Sequence, residues 1–237
     1  MSPEVIVDSR DALARLFVGR FEASVRDAVA AHGRFACALP GGSVAEAFFP
    51  KLVDAAVDWT RVDIFWGDER AVPPTDPESN YGLARRLWLD HVPIDPTRVH
   101  AIHGENPDLE AAAAAYAHQL AAALGSRPLD LVLLGMGPEG HVCSLFPGHA
   151  ALHEGTRSVV AIHDSPKPPP ERVTLTLVPI AGAAVVCVAA FGAEKADAVR
   201  EAVEVADSAL PVALAARSAA RALFLLDAAA ASRLRSR

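Results

Sequence analysis

Gly135, Gly137 and Gly140 follow the apolar run "LDLVLL" (129–134) and lead straight into His141, spelling G-x-G-x-x-G. Two chemistries fit such a spacing. Glycines after a buried strand receive a dinucleotide pyrophosphate when a helix begins on them. Alternatively, they form a turn that presents one side chain at the strand's carboxyl end. The dinucleotide reading needs a helix, yet Pro147 and Gly148 leave room for two turns at most. More than half of the chain also precedes the motif, which usually opens its domain. A Walker-type loop fails because His141-Val142 stand where Lys-Ser/Thr is required. A metal set from His141, Cys143, His149 and His153 follows no zinc spacing. What remains is a turn that presents His141, whose imidazole (ordinary pKa about 6.5) is mostly a free base at neutral pH. The N–H groups of Gly137 and Gly140 are expected to point inward at an oxyanion or phosphate.

Other segments offer anion chemistry. In "PGGS", Gly41 and Gly42 allow close backbone approach, and Ser43 adds a hydroxyl at a helix start. "GDER" reads as a loop in which Arg70 offers a planar fork suited to phosphate. Arg172 begins a strand beside the proline-rich "SPKPPPER" and is either structural or substrate-facing. Lys195 reads as an ordinary helix lysine by composition, and Lys167 as solvent-exposed. His91, His100, His103, His118 and His163 have no supporting context.

These residues need a frame. Strand patterns at "EVIV" (4–7), "RFACAL" (34–39), "VDIFW" (62–66), "LDLVLL", "RSVVAIH" (157–163), "RVTLTL" (172–177), "AAVVCVAAF" (183–191) and "RALFLL" (221–226) alternate with helical stretches. The helices include one from Asp8 or Ser9 to the Gly33 stop, one at 107–124, and segments near 193–206 and 211–216. Pro50 is expected to kink or break the helix after "PGGS", and Ser79 to cap the next one. The fold class is α/β: a mostly parallel, Rossmann-like open sheet with helices on both faces. The 237 residues form a single α/β domain, with room for a smaller lobe built from part of the chain. Ligands in such folds lie beyond the carboxyl ends of strands. The loops after 34–39, 62–66, 129–134 and 183–191 are therefore expected to share one cleft.

Composition limits the partners. A net charge of −7 argues against a nucleic-acid surface, though a few cations in a cleft can still hold an anion. No apolar run reaches the roughly 18–20 residues that span a bilayer. The N-terminus lacks a charged-then-apolar leader, which reads as cytoplasmic. Cys37, Cys143 and Cys187 read as buried free thiols in a reducing compartment. The pattern does not fix the oligomeric state.

Taken together, "LPGGSVAEAF" (39–48), "IFWGDERAVPPTDPESNYGLAR" (64–85), "LVLLGMGPEGHVCSLFPGH", "SPKPPPERVTLT" (165–176) and "FGAEKADAV" (191–199) resemble the 6-phosphogluconolactonases. These belong to the broader sugar-phosphate isomerase and deaminase superfamily. The resemblance covers nearly the whole chain. It implies hydrolysis of 6-phospho-D-glucono-1,5-lactone to 6-phosphogluconate, in the oxidative pentose phosphate pathway, with neither metal nor organic cofactor. It implies that His141 is catalytic, with Arg70 and Lys195 at the phosphate and Asp68 orienting its neighbours. Where the family has Gly-Asp-Gly-His, this chain has Glu139 before Gly140-His141, so the acid carries one more methylene. Deaminating relatives continue past the histidine toward Asn-Glu-Pro, and "SLFPG" does not. An aminosugar-phosphate deaminase and a non-catalytic phosphosugar-binding regulator are the alternative readings.

Overall fold

A computed structural model of the chain describes residues 3–235. Its strands are β1 (Glu4–Val7), β2 (Phe35–Leu39), β3 (Val62–Trp66), β4 (Asp68–Arg70), β5 (Leu131–Gly135), β6 (Val159–Ile162), β7 (Arg172–Leu175), β8 (Val185–Ala190) and β9 (Arg221–Leu226). Its α-helices are α1 (Arg10–His32), α2 (Gly42–Leu52), α3 (Asn80–Leu87), α4 (Leu109–Leu124), α5 (Leu177–Ala181), α6 (Ala196–Glu204) and α7 (Pro211–Ser218). Six strands form one parallel sheet in the order β1-β9-β8-β5-β2-β3. Strand β3 follows β2 in one direction, whereas β5 returns to the other side of β2 and β8 and β9 continue away. The order therefore reverses between β2 and β5. Right-handed crossovers then put α1 and α2 on one face and α4, α5 and α7 on the other. The packing of α1 on α2 and of α5 on α7 agrees with this.

The inner strands β2, β5 and β8 are near-continuous apolar runs because a parallel sheet is covered on both faces. Helix α1 shows the complementary pattern. Leu13, Ala14, Phe17, Phe21, Val25 and Ala28 are buried, a stripe at three- and four-residue spacing. Burying each large side chain contributes roughly 1.5–3 kcal/mol. The Ser9 hydroxyl accepts from the Ala12 N–H, and Gly33 ends the helix at φ 87, a left-handed conformation that glycine adopts without strain.

Several sequence expectations need correction. The segments 157–163 and 172–177 do not join the parallel sheet. Their cores are β6 and β7, and β7 pairs antiparallel with both β6 and β4 in a separate three-stranded sheet, β4-β7-β6. "GDER" is not a solvated loop, since Asp68–Arg70 is a strand and Asp68 and Glu69 are buried. Pro50 does not break α2, which continues to Leu52. It falls in the last turn, where one hydrogen bond is lost, and buried Phe48, Phe49 and Leu52 hold the helix in place. The stretch 193–206 divides into a 3-10 turn at Ala193–Lys195 followed by α6. Among the described residues, no helix is long and apolar enough to cross a membrane.

Candidate active site

The turn after β5 closes on itself. The Gly137 N–H donates to the His141 carbonyl at 2.9 Å, and the Gly140 N–H donates to the Gly137 carbonyl at 3.0 Å. Both donors are thus consumed, which corrects the expectation that they face an anion. Gly140, at φ 84, packs on Leu210 and does not line the cleft. No helix follows the glycines; Pro138–His149 is turns and bridges, so the pyrophosphate reading lacks its essential element. His149 is also spent elsewhere, its Nδ1 accepting from the Ala151 N–H and its Nε2 lying 2.9 Å from Asp164.

His141 stands at the mouth of this turn, half-buried against Phe146 with ring centroids 4.5 Å apart. Its Nδ1 lies 3.1 Å from Glu139 Oε1. The approach misses hydrogen-bond geometry, so Nδ1 is buried without a directed partner and the contact is electrostatic. Burial pushes the imidazole below its ordinary pKa and Lys167 acts in the same sense, against the opposing pull of Glu139. Burial also raises the Glu139 carboxyl, but the hydrogen bond from Lys167 and the charges of His141 and Lys167 outweigh it, leaving the carboxyl below its usual range. A neutral imidazole beside an ionised carboxylate is the arrangement of a general base. Because protonation of His141 is displaced downward, the acid limb of kcat/KM should have its midpoint below pH 6.5. Activity should rise with pH through that limb. A rate profile with its midpoint above pH 7 contradicts this assignment.

The cleft lies beyond the carboxyl ends of β2, β5 and β8, at the point where strand order reverses. The small sheet closes its other side. The cavity, about 210 Å³, is lined by Gly41, Gly42 and Ser43 after β2, Gly137 and His141 after β5, and Lys195 after β8. Strands β4 and β7 contribute the rest through their register. Arg70 stands opposite Arg172 and Asp68 opposite Thr174, and residues opposite or two apart share a face of a sheet. Arg70, Lys167, Arg172 and Lys195 line the cavity, and Asp68 is the only carboxylate lining it among the described residues. A chain of net charge −7 therefore carries a locally cationic cleft.

Each of these side chains has definite supports. Helix α2 begins at Gly42 with no side-chain cap at Gly41, so its first N–H groups and the positive end of its dipole face the cavity. Asp68 accepts from the Ser144 hydroxyl at 2.7 Å, lies 3.3 Å from Asn80 Nδ2 and is 3.7 Å from Arg172. Arg70 contacts Glu78 at 3.3 Å, while its Nε is buried with no partner. Arg172 is both structural and cleft-lining. Its Nε donates to the Pro169 carbonyl at 3.0 Å, and its NH2 group donates to the carbonyls of Lys167 and Pro168 at 3.2 and 3.0 Å. Lys195 is half-buried, and burial lowers its pKa with help from Lys167.

Three residues that build or line the cleft were not singled out by the sequence. Glu69 is buried and accepts from the N–H groups of Arg70, Asn80 and Tyr81 at 2.8 Å and from the Ser79 hydroxyl at 3.0 Å. Burial raises its pKa while these bonds oppose the rise. Glu69 thereby ties β4 to the start of α3, the physical link between "GDER" and the "SNY" that follows it. Asn80 donates to the Asp68 carbonyl at 2.9 Å and fills the space beside Gly41. A methyl group on Gly41 would lie 1.7 Å from Asn80 Oδ1, so position 41 requires glycine. Lys167 keeps 41% of its side chain exposed, as expected, and it also lines the cleft and binds Glu139. Cys143, expected in the core, lines it too, at φ 50; Cys37 and Cys187 are buried as expected. Burial raises the Cys143 thiol and Asp68 adds to the rise, so it is not a thiolate nucleophile.

The sequence model described as "Glucosamine-6-phosphate isomerases/6-phosphogluconolactonase" matches residues 8–224. The chain belongs to this isomerase/lactonase family. Within the family it is 41% identical to a 6-phosphogluconolactonase of Streptomyces coelicolor, covering 98% of this chain and 95% of that protein. It is 42% identical to one of Mycobacterium tuberculosis, covering 99% of each. Among solved structures, the 6-phosphogluconolactonase from Trypanosoma cruzi superposes with a TM-score of 0.88 at 28% identity, over 99% of this chain and 98% of that one. A monomeric glucosamine-6-phosphate deaminase superposes at 0.82 with 22% identity, over 97% of this chain and 99% of that one. That likeness is one of fold alone, whereas the relatives at 41–42% identity are 6-phosphogluconolactonases.

Proposed function

We propose that the cleft hydrolyses 6-phospho-D-glucono-1,5-lactone to 6-phospho-D-gluconate, the lactone-opening step of the oxidative pentose phosphate pathway. The observation that carries this reading is the pairing of a neutral, half-buried His141 with four cationic side chains around one small cavity. His141 Nε2, the nitrogen turned away from Glu139, takes a proton from water as the water oxygen bonds to C1. The C1–ring-oxygen bond then breaks, and the imidazolium returns its proton to the departing ring oxygen. Glu139 stabilises the imidazolium in between. A lactone carbonyl is electrophilic enough that no covalent nucleophile is required.

The phosphate is held by the uncapped N-terminus of α2 (Gly41, Gly42, Ser43) with Arg70 and Lys195, while Arg172 adds charge from behind Asp68. Binding a remote charged group positions the reacting carbon. The two sheets work as one α/β domain around this cleft, and free thiols at Cys37, Cys143 and Cys187 fit a reducing cytoplasm.

The test is an assay on freshly generated phosphogluconolactone, corrected for spontaneous opening, beside ammonia release from glucosamine 6-phosphate. Lactone turnover without ammonia is expected, and the reverse overturns the reading. Arg70→Ala should raise KM on the order of 10-fold or more while kcat changes little, the signature of lost uniform binding. Equal turnover of phosphate-free gluconolactone by the unaltered enzyme contradicts the phosphate grip.

A further inference from the structure

Lactone hydrolysis places negative charge on the C1 oxygen, and the two glycine N–H groups of the turn that carries the base are not free to receive it. Gly137 and Gly140 donate within the turn itself. The N-terminus of α2 and Arg70 are assigned to the phosphate, several ångströms of sugar away from C1. The developing charge needs a donor beside His141.

Lys167 meets that need. Its Nζ lies 2.9 and 3.0 Å from the two carboxylate oxygens of Glu139, and Glu139 Oε1 is 3.1 Å from His141. Lys167 and His141 line the same cavity. An ammonium has three donors, so the bonds to Glu139 leave at least one N–H free. The backbone around it is fixed. The Lys167 carbonyl accepts from Arg172 at 3.2 Å and from the Ser165 hydroxyl at 3.0 Å, and the Ser165 N–H donates to Pro170 at 3.0 Å. The Glu139 contacts and this anchored backbone orient the ammonium before the reaction, which is what makes oxyanion stabilisation effective.

Building on the lactonase reading, we infer that Lys167 is a catalytic residue: its free N–H receives the oxyanion that forms at C1 and then the carboxylate of the opened product. Glu139 is its anchor as well as the partner of His141. One carboxylate thus sets the separation between the proton acceptor and the oxyanion donor.

The test is steady-state kinetics of Lys167→Met and Lys167→Arg on the lactone, with inorganic phosphate binding measured alongside. Lys167→Met should lower kcat on the order of 10²–10³-fold, the usual loss for one oxyanion donor. KM should stay within about threefold, since the contact is made in the transition state. Lys167→Arg should recover part of the rate, and affinity for inorganic phosphate should match the unaltered enzyme in both variants. A raised KM with unchanged kcat, together with weakened phosphate binding, makes Lys167 a phosphate ligand and overturns the inference. Recovery of full kcat at higher pH overturns it too, because Lys167 would then act only through the proton affinity of His141. If the unaltered enzyme fails to accelerate lactone opening, the proposed function itself is wrong, a separate result from either outcome in the variants.

Discussion

Alanine in place of His141 should lower kcat for lactone hydrolysis on the order of 10²–10⁴-fold, the range for loss of one acid–base group. The argument rests on position and charge state together. The ring lines the cleft at the end of β5, burial and Lys167 keep it neutral, and Glu139 stands ready at Nδ1 when the ring protonates. KM should change little, because the phosphate contacts proposed above come from α2, β4 and the β8 loop, none of which rests on the imidazole. Steady-state kinetics on fresh lactone check this, with circular dichroism to confirm the fold. A variant with near-normal kcat removes His141 from the mechanism.

Gly137→Ala should be almost as damaging although it deletes no functional group. A Cβ there would fall 2.0 Å from His141 Nδ1, 2.2 Å from Cε1 and 2.7 Å from Glu139 Oε2. The ring cannot retreat inward, since Phe146 packs against it. It must swing away from Glu139, and displacement of a reacting group by about 1 Å costs on the order of 10²-fold in rate. Gly155→Ala is the control, since a Cβ there meets nothing within 4 Å. The expected result is a large loss of kcat at position 137, normal rates at 155, and cooperative thermal unfolding in both. Full activity in Gly137→Ala contradicts the view that this glycine exists to make room for the imidazole.

Most of the frame was legible in the sequence because it follows from periodicity. Continuous apolar runs marked β2, β3, β5 and β8, and the Ser9 and Gly33 signals bounded α1. The shared cleft followed from the rule that loops at carboxyl strand ends converge, and it brought Ser43, Arg70, His141 and Lys195 together as expected. What stayed hidden depended on partners far away in the chain. Strand β4 consists of Asp68, Glu69 and Arg70, residue types that disfavour strands or read as solvated, and it forms because β7 supplies the ladder a hundred residues later. Lys167 looked like a surface lysine in a proline-rich loop, and only its approach to Glu139, 28 positions earlier, gives it a role. The donor capacity of Gly137 and Gly140 could not be judged from glycine spacing, since the same spacing serves a turn open to a ligand and a turn closed on itself.

The two sheets divide the labour in a way that bears on how such a cleft changes over time. Arg70 and Arg172, facing each other across β4 and β7, ride on the antiparallel sheet, whereas His141 rides on the end of a parallel strand. Arg70 is bonded to Glu78 and not to the turn, so substitutions at that one position can retune which charged headgroup is admitted without disturbing the proton-moving groups. The reverse also holds, so a lineage could exchange its chemistry and keep its taste for phosphorylated sugars.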